Sequence, residues 1–206
     1  MKISVRSLSG VALVMLLAPL PGARADLIPW LYNWSRSPSE IHSDAPGTSF
    51  ITLTDESARS AVGDSNIVAT NLRTFSTAAP ESPDKFTAKA YALTLNLTDV
   101  QSRMIGSLTF TGQIDGWVSS SNSSLTNTFT GDVTQSIVLG DNRYTATIGG
   151  FSPPGAPGSV NAGSIAAFVH MNVDPIVHMP EPGTLALSGL GALFLAAAHR
   201  RRRRKA

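Results

Sequence analysis

The sequence predicts an all-β chain: an antiparallel β-sandwich or jelly-roll-like body, flanked by an N-terminal signal peptide and a C-terminal single transmembrane helix. Three observations predict it. Between positions 26 and 174 apolar residues recur at every second position, in segments rich in Thr, Ser, Gly, Val and Ile and thin in helix formers. Short clusters of Gly, Asp and Asn separate those segments. Each end of the chain holds an uncharged apolar run bordered by cations, a pattern absent from the body. The 206 residues suit one folded core, and the lack of cysteine excludes disulfide scaffolds, thiol nucleophiles, thiolate zinc sites and a lipidated N-terminal cysteine.

At the amino end, Lys2 and Arg6 precede an apolar run from Val11 to Ala18. Ala23-Arg24-Ala25 then places small side chains at the −3 and −1 positions of a cut before Asp26, the pattern of a secretory signal peptide spanning residues 1–25. Pro19, Pro21 and Gly22 interrupt helix, and the run is well short of the ~20 residues a spanning helix needs. Signal peptidase and the secretion machinery are therefore expected partners.

The body, residues 26–174, follows. Tyr91, Leu93, Leu95 and Leu97 alternate with Ala92, Thr94 and Asn96; Leu108, Phe110 and Ile114 alternate with Thr109, Thr111 and Gln113; Ile165, Val169, Met171 and Val173 recur at even spacing. Period two means half-buried strands. Further strands are expected over 48–54, 66–75, 123–129, 133–139 and 143–148, about eight in all, with turns at Gly63-Asp64, Gly140-Asp141-Asn142 and Gly149-Gly150. Thr-Phe-Thr-Gly occurs at 109–112 and again at 128–131, which fits two strands of one meander or a shared strand-end solution. Ser152 to Gly158, with three prolines, reads as a stiff exposed loop.

Charge divides the chain in the same places. Residues 1–25 carry +3, residues 26–180 carry −6, and the remainder carries +5. The basic character thus belongs to the two ends, and a mildly acidic body lacks the cationic patch a nucleic-acid partner would require.

From Pro175 a short stalk runs to Pro180-Glu181-Pro182, where proline on both sides of Glu181 blocks helix and ladder pairing and leaves an extended strip that a protease could grip. Residues 183–199 form the expected membrane helix. Gly183 to Ala198 holds sixteen uncharged residues, ~24 Å as a helix against a hydrocarbon core of ~30 Å. Leu185, Leu187, Leu190, Leu193, Phe194 and Leu195 contribute about −0.5 kcal/mol each, roughly −3 kcal/mol, partly offset by glycine, serine and threonine. Such a helix is marginal alone. Arg200, Arg201, Arg202, Arg203, Arg204 and Lys205, in the basic tail 200–206, each add about 1 kcal/mol at an anionic leaflet and resist passage through the bilayer centre by about 2.5 kcal/mol or more. They fix orientation, with the arginines cytoplasmic and the body on the periplasmic side. A buried core helix would show one polar face, and Leu185 to Ala198 has none beyond Ser188.

Signal peptide, Pro180-Glu181-Pro182, weak helix and arginine cluster, in this order, resemble the PEP-CTERM sorting signal of bacterial exported proteins. The resemblance covers about the last 27 residues. It implies recognition by a membrane-embedded exosortase, processing near the motif, tethering at the inner membrane, and delivery to the cell surface or to an extracellular polysaccharide matrix. The five arginines followed by lysine look like the tails of planctomycete members, and Ile67–Ser76, Leu108–Gly112 and Ser152–Pro157 are similar to exported proteins of that group, which offer no activity to transfer. No Leu-Pro-any-Thr-Gly sequence precedes the helix, so sortase attachment is not expected.

For the body the sequence offers little catalytic chemistry. His42, His170, His178 and His199 lack ligand-type partners at i+2 to i+4, and no G-x-S-x-G, GxGxxG or P-loop string occurs. No catalytic residue, metal site or cofactor is expected, and the body is not expected to be an enzyme. Asp55-Glu56, Asp64-Ser65-Asn66 and Asp141-Asn142 place hard oxygens where Ca²⁺ is bound in other loops, but the EF-hand spacing is missing and Asx turns explain the same residues without a metal. Asp99 and Asp115 are the carboxylates to check for a glycosidase pair. Trp30, Tyr32 and Trp34 form an alternating aromatic strip, and Trp117 precedes a Ser/Asn-rich stretch. These four are candidate glycan contacts for a carbohydrate-binding or adhesive module of an exopolysaccharide matrix. The burial tendency of tryptophan favours the other reading, a strand that packs the strip into the sandwich.

Overall fold

The computed structural model describes residues 28–44 and 48–173, and within them every regular element is a strand. The signal peptide with Ala23, Ala25 and Asp26, the stalk with Pro180-Glu181-Pro182, the expected membrane helix and the basic tail lie outside the described residues.

Eleven strands are described: β1 (Pro29–Ser37), β2 (Glu40–His42), β3 (Phe50–Leu53), β4 (Glu56–Val62), β5 (Ser65–Phe75), β6 (Asp84–Asp99), β7 (Ile105–Val118), β8 (Ser123–Phe129), β9 (Thr134–Leu139), β10 (Asn142–Ser152) and β11 (Gly163–Val173). They pair antiparallel in two sheets, ordered β4-β1-β6-β7-β8 and β2-β3-β5-β11-β10-β9. The expected period-two sets point inward. Tyr91, Leu93, Leu95 and Leu97 of β6, Phe110 and Ile114 of β7, and Ile165, Val169 and Met171 of β11 are buried in one core shared by both sheets. The fold is a β-sandwich: each sheet covers the apolar face of the other, while the outer faces keep threonine and asparagine in water.

Three strands beyond the eight expected appear: β1, which carries the aromatic strip, and two more, β2 and β4, each for its own reason. β2 is three residues long and inserts a single apolar side chain, Ile41. β4 is an edge strand with the sequence ESARSAV, almost wholly exposed, and extends because it pairs with β1 rather than because it has an apolar face. Gly149-Gly150 is not a turn. It lies inside β10, where the pairing with β11 shifts register between Ile148 and Phe151, so two small residues serve a bulge instead of a reversal. In the proline-rich loop Pro154 is buried rather than exposed.

The repeated tetrapeptide falls on neighbouring strands of the meander β6-β7-β8. The first copy is mid-strand in β7 and the second closes β8, Thr130 donating its amide to Thr111 O at 3.0 Å. In the first copy Gly112 is required by close approach: a Cβ there would sit 2.5 Å from the Tyr91 hydroxyl, which reaches across to Asn127.

Both described ends of the body lie at one pole. Trp30 pairs with Asp99, Asp99 binds Asn142, and Asn142 pairs with Val173, so the chain enters and leaves beside the same buried carboxylate. Trp117, paired with Lys85 at the far end of β6, marks the opposite pole.

Candidate functional sites: a lateral cleft and the carboxyl-terminal tail

β1 runs between β4 and β6, and its alternate residues Trp30, Tyr32 and Trp34 all turn toward the opposite sheet. Trp30 is 0% exposed and Trp34 2%, so neither can touch a glycan, and the packing alternative is the one observed for them. Trp30 meets Tyr144 of the other sheet edge-on at 6.0 Å, and Trp34 meets Phe110 at 6.0 Å. Their indole nitrogens differ. Trp30 Nε1 donates to Gly63 O at 2.9 Å, whereas buried Trp34 Nε1 has no partner among the described residues. Trp30→Phe is therefore expected to destabilise the body about 1 kcal/mol more than Trp34→Phe, because only the first leaves a buried carbonyl unpaired; paired urea unfolding curves measure the difference.

Tyr32 is the half-buried member of the strip, and the reason lies in the opposite sheet. β3 pairs with residues 72–75 of β5 and Thr54 just beyond it bonds the Asn71 backbone, leaving that edge of β5 without a strand partner from Asn66 to Thr70. Across the gap stands β4, the edge of the other sheet. Between them opens a cleft of about 310 Å³ lined by Tyr32, Glu56, Arg59, Asn66, Ile67, Val68 and Asn71. Glu56 Oε1 accepts Asn71 Nδ2 at 2.7 Å, and its Oε2 lies 3.7 Å from Arg59 Nη2. Burial pushes the Tyr32 phenol above its ordinary 10.0, with Arg59 drawing it back and Glu56 adding to the rise, so the hydroxyl stays protonated. Trp117, the remaining candidate contact, is half-buried and sits at the opposite pole from Tyr32. No sequence feature joined Tyr32 to Glu56 or Asn71; the nearest signal was the acidic pair Asp55-Glu56.

That pair is split. The Asp55 carboxylate accepts the Arg36 amide on Oδ1 and pairs with the Arg36 guanidinium through Oδ2, while Glu56 turns into the cleft. Asp64 accepts Met171 N and pairs with His170 Nδ1, both at 2.8 Å, and these contacts hold its carboxyl below the usual range. Among the described residues no three His, Asp or Glu side chains converge as a metal site would require. Asp99 and Asp115 do not share a cleft. Asp115 accepts the Ala88 amide at 2.7 Å, eleven residues along β6 from Asp99, on the order of 35 Å in an extended strand. A glycosidase pair needs about 5–10 Å.

The Asp115 contact instead secures a bulge in β6, where Ala88 has φ 47 and the pairing with β7 shifts register. Asp44 braces the other side, accepting Thr87 Oγ1 at 2.6 Å and Lys89 Nζ at 2.9 Å. An alanine in the left-handed region costs about 1–2 kcal/mol, more than glycine's entropic penalty. Ala88→Gly is accordingly expected to stabilise the body by about 0.5–1 kcal/mol, read as a higher urea midpoint at unchanged slope.

An aromatic row that the alternation did not single out faces solvent on the other sheet. His42, Phe50 and Phe75 lie in register on β2, β3 and β5, the two phenyl rings stacked at 4.7 Å and His42 at 5.9 Å from Phe50. Phe75 is 47% exposed.

Comparison with known proteins adds one match. No curated protein and no solved structure matches the chain. Residues 180–204 match the PEP-CTERM protein-sorting motif. The match contains Pro180-Glu181-Pro182, the apolar run and the arginines Arg200 to Arg204. Such a motif marks an exported protein for exosortase processing and for membrane or surface association. The chain carries a PEP-CTERM sorting signal over residues 180–204, joined to an all-β body.

Proposed function

We propose that this chain is a cell-surface or extracellular-matrix protein whose all-β body is non-catalytic cargo. The signal peptide carries it across the inner membrane and is removed after Ala25. The helix of residues 183–199 then holds the body on the periplasmic side, with Arg200 to Lys205 in the cytoplasm, until exosortase cuts near Pro180-Glu181-Pro182. The observation that carries the reading is the sorting motif over residues 180–204, in which a marginal helix abuts a cluster of six cations. Two features of the body agree with it. Both its described ends sit at one pole, so a tether at residue 183 leaves the rest of the sandwich projecting away from the bilayer. Asp99 and Asp115, the carboxylates closest to a hydrolase signature, each serve the fold.

The test is expression of tagged chain in a host with and without its exosortase. With the enzyme, the product is expected to shorten and to move from the inner-membrane fraction to the surface or medium. Identical size and location in both strains would contradict the reading.

A further inference from the structure

We infer that the lateral cleft between β4 and β5 is a binding site for a neutral saccharide, with Tyr32, Glu56, Arg59, Asn66 and Asn71 as its contacts. The inference rests on the exported reading only for where such a ligand is met; the site itself stands on the geometry.

The composition of the cleft selects the ligand class. Glu56 and Arg59 cancel one another, so the site holds no net charge to attract an ion, and the body around it, at −6 over residues 26–180, repels polyanions. What the cleft presents are planar polar groups. A carboxylate offers two acceptor oxygens, a guanidinium a fork of donors, and each amide one acceptor beside one donor group, a set that can meet neighbouring sugar hydroxyls. Glu56 shows how the site is arranged: its side chain is 13% exposed, Oε1 is fixed by Asn71, and Oε2 is left to accept from a hydroxyl. The Tyr32 hydroxyl belongs to the cleft lining and stays protonated, so it can donate or accept. The Tyr32 ring and Val68 add apolar surface for the C–H face of a pyranose. At about 310 Å³ the opening fits one or two sugar rings, and its position between two sheet edges lets a polymer run through without presenting a chain end.

Alternative surfaces lack this convergence. The His42, Phe50 and Phe75 row is explained by cross-strand packing. The Asp64 and His170 pair is exposed and already satisfied by Met171 N.

The full chain, purified in detergent micelles, is tested by affinity electrophoresis through gels containing dextran, laminarin, galactan or mannan, with alginate and hyaluronan as acidic polymers. Arg59→Ala/Asn66→Ala alters exposed cleft positions, and Tyr32→Phe removes only the hydroxyl; unchanged thermal unfolding verifies that both fold. Retardation by at least one neutral polymer is expected, weakened tenfold or more by the double variant and severalfold by Tyr32→Phe, with Phe75→Ala unchanged. No retardation by any neutral polymer overturns the inference. So does binding to acidic polymers alone, binding indifferent to the cleft variants, or loss with Phe75→Ala only. Because the assay involves no exosortase, its failure would leave the sorting reading standing, and failed sorting would leave this result standing.

Discussion

Asp99→Ala is expected to destabilise the body by about 4 kcal/mol, lowering its Tm by roughly 10 °C. Asp99 is fully buried at the pole where both ends of the body meet. Its Oδ2 accepts Asn142 Nδ2 at 2.6 Å and the Tyr144 hydroxyl at 2.7 Å, both from the opposite sheet, and its Oδ1 accepts Ser102 N at 2.6 Å from the turn after β6. Removing the carboxylate leaves two buried donors, Asn142 Nδ2 and the Tyr144 hydroxyl, without an acceptor, each costing about 1–3 kcal/mol, and frees the part-buried Ser102 amide, which water partly recovers. Asp99→Asn keeps the shape but aims an N–H at another donor, so an intermediate loss is expected. Tyr144 remains protonated throughout, since burial and the adjacent carboxylate both push its phenol far up.

The same network sets the acid limit. Burial opposes ionisation of Asp99, but hydrogen bonds from Ser102, Tyr144 and Asn142 outweigh it and hold the carboxyl below its ordinary 3.8. A depressed folded value stabilises the native state above the unfolded one and loses that contribution as pH falls through the folded value. Thermal stability of the wild type is expected to be level above about pH 5 and to drop below about pH 4, with a shallower drop in Asp99→Asn.

Neutralising Arg200 to Lys205 with glutamine is expected to abolish stable membrane holding, seen as loss of most of the uncut chain from the inner-membrane fraction in a strain without exosortase. The apolar residues supply roughly −3 kcal/mol, and six cations at about 1 kcal/mol each contribute more than the helix they border. Replacing Pro180-Glu181-Pro182 by three alanines should separate holding from cutting. That chain is expected to stay in the membrane and keep its full C-terminus even when exosortase is present.

The sandwich was legible because its strands obey one local rule. Leu93, Leu95 and Leu97 declare an inward face without reference to any other part of the chain. β4 was not legible, because its seven residues form a strand only through a neighbour some thirty positions away. The tryptophan strip announced that Trp30, Tyr32 and Trp34 share a face, but not which way that face turns. That depends on β1 being flanked on both sides within its sheet. The cleft was invisible for the same reason. Tyr32, Glu56 and Asn71 come from three strands in two sheets, and the gap that exposes them exists because β3 stops pairing at Leu72. Asp99 could be named only as a carboxylate to check, because sequence reports the residue type and not its three donors. The sorting motif was legible, since its parts are contiguous and their order is the signal.

Intact mass of the form recovered from the cell surface tests the central claim most directly, because it reads both ends in one measurement. In a strain with exosortase, the mass is expected to correspond to a polypeptide beginning at Asp26 and ending near residues 180–182, alone or with an added group at its C-terminus. In the strain without the enzyme, the membrane form should begin at Asp26 and retain everything through Ala206. A surface form that still carries residues 183–206 in the presence of exosortase would contradict the account.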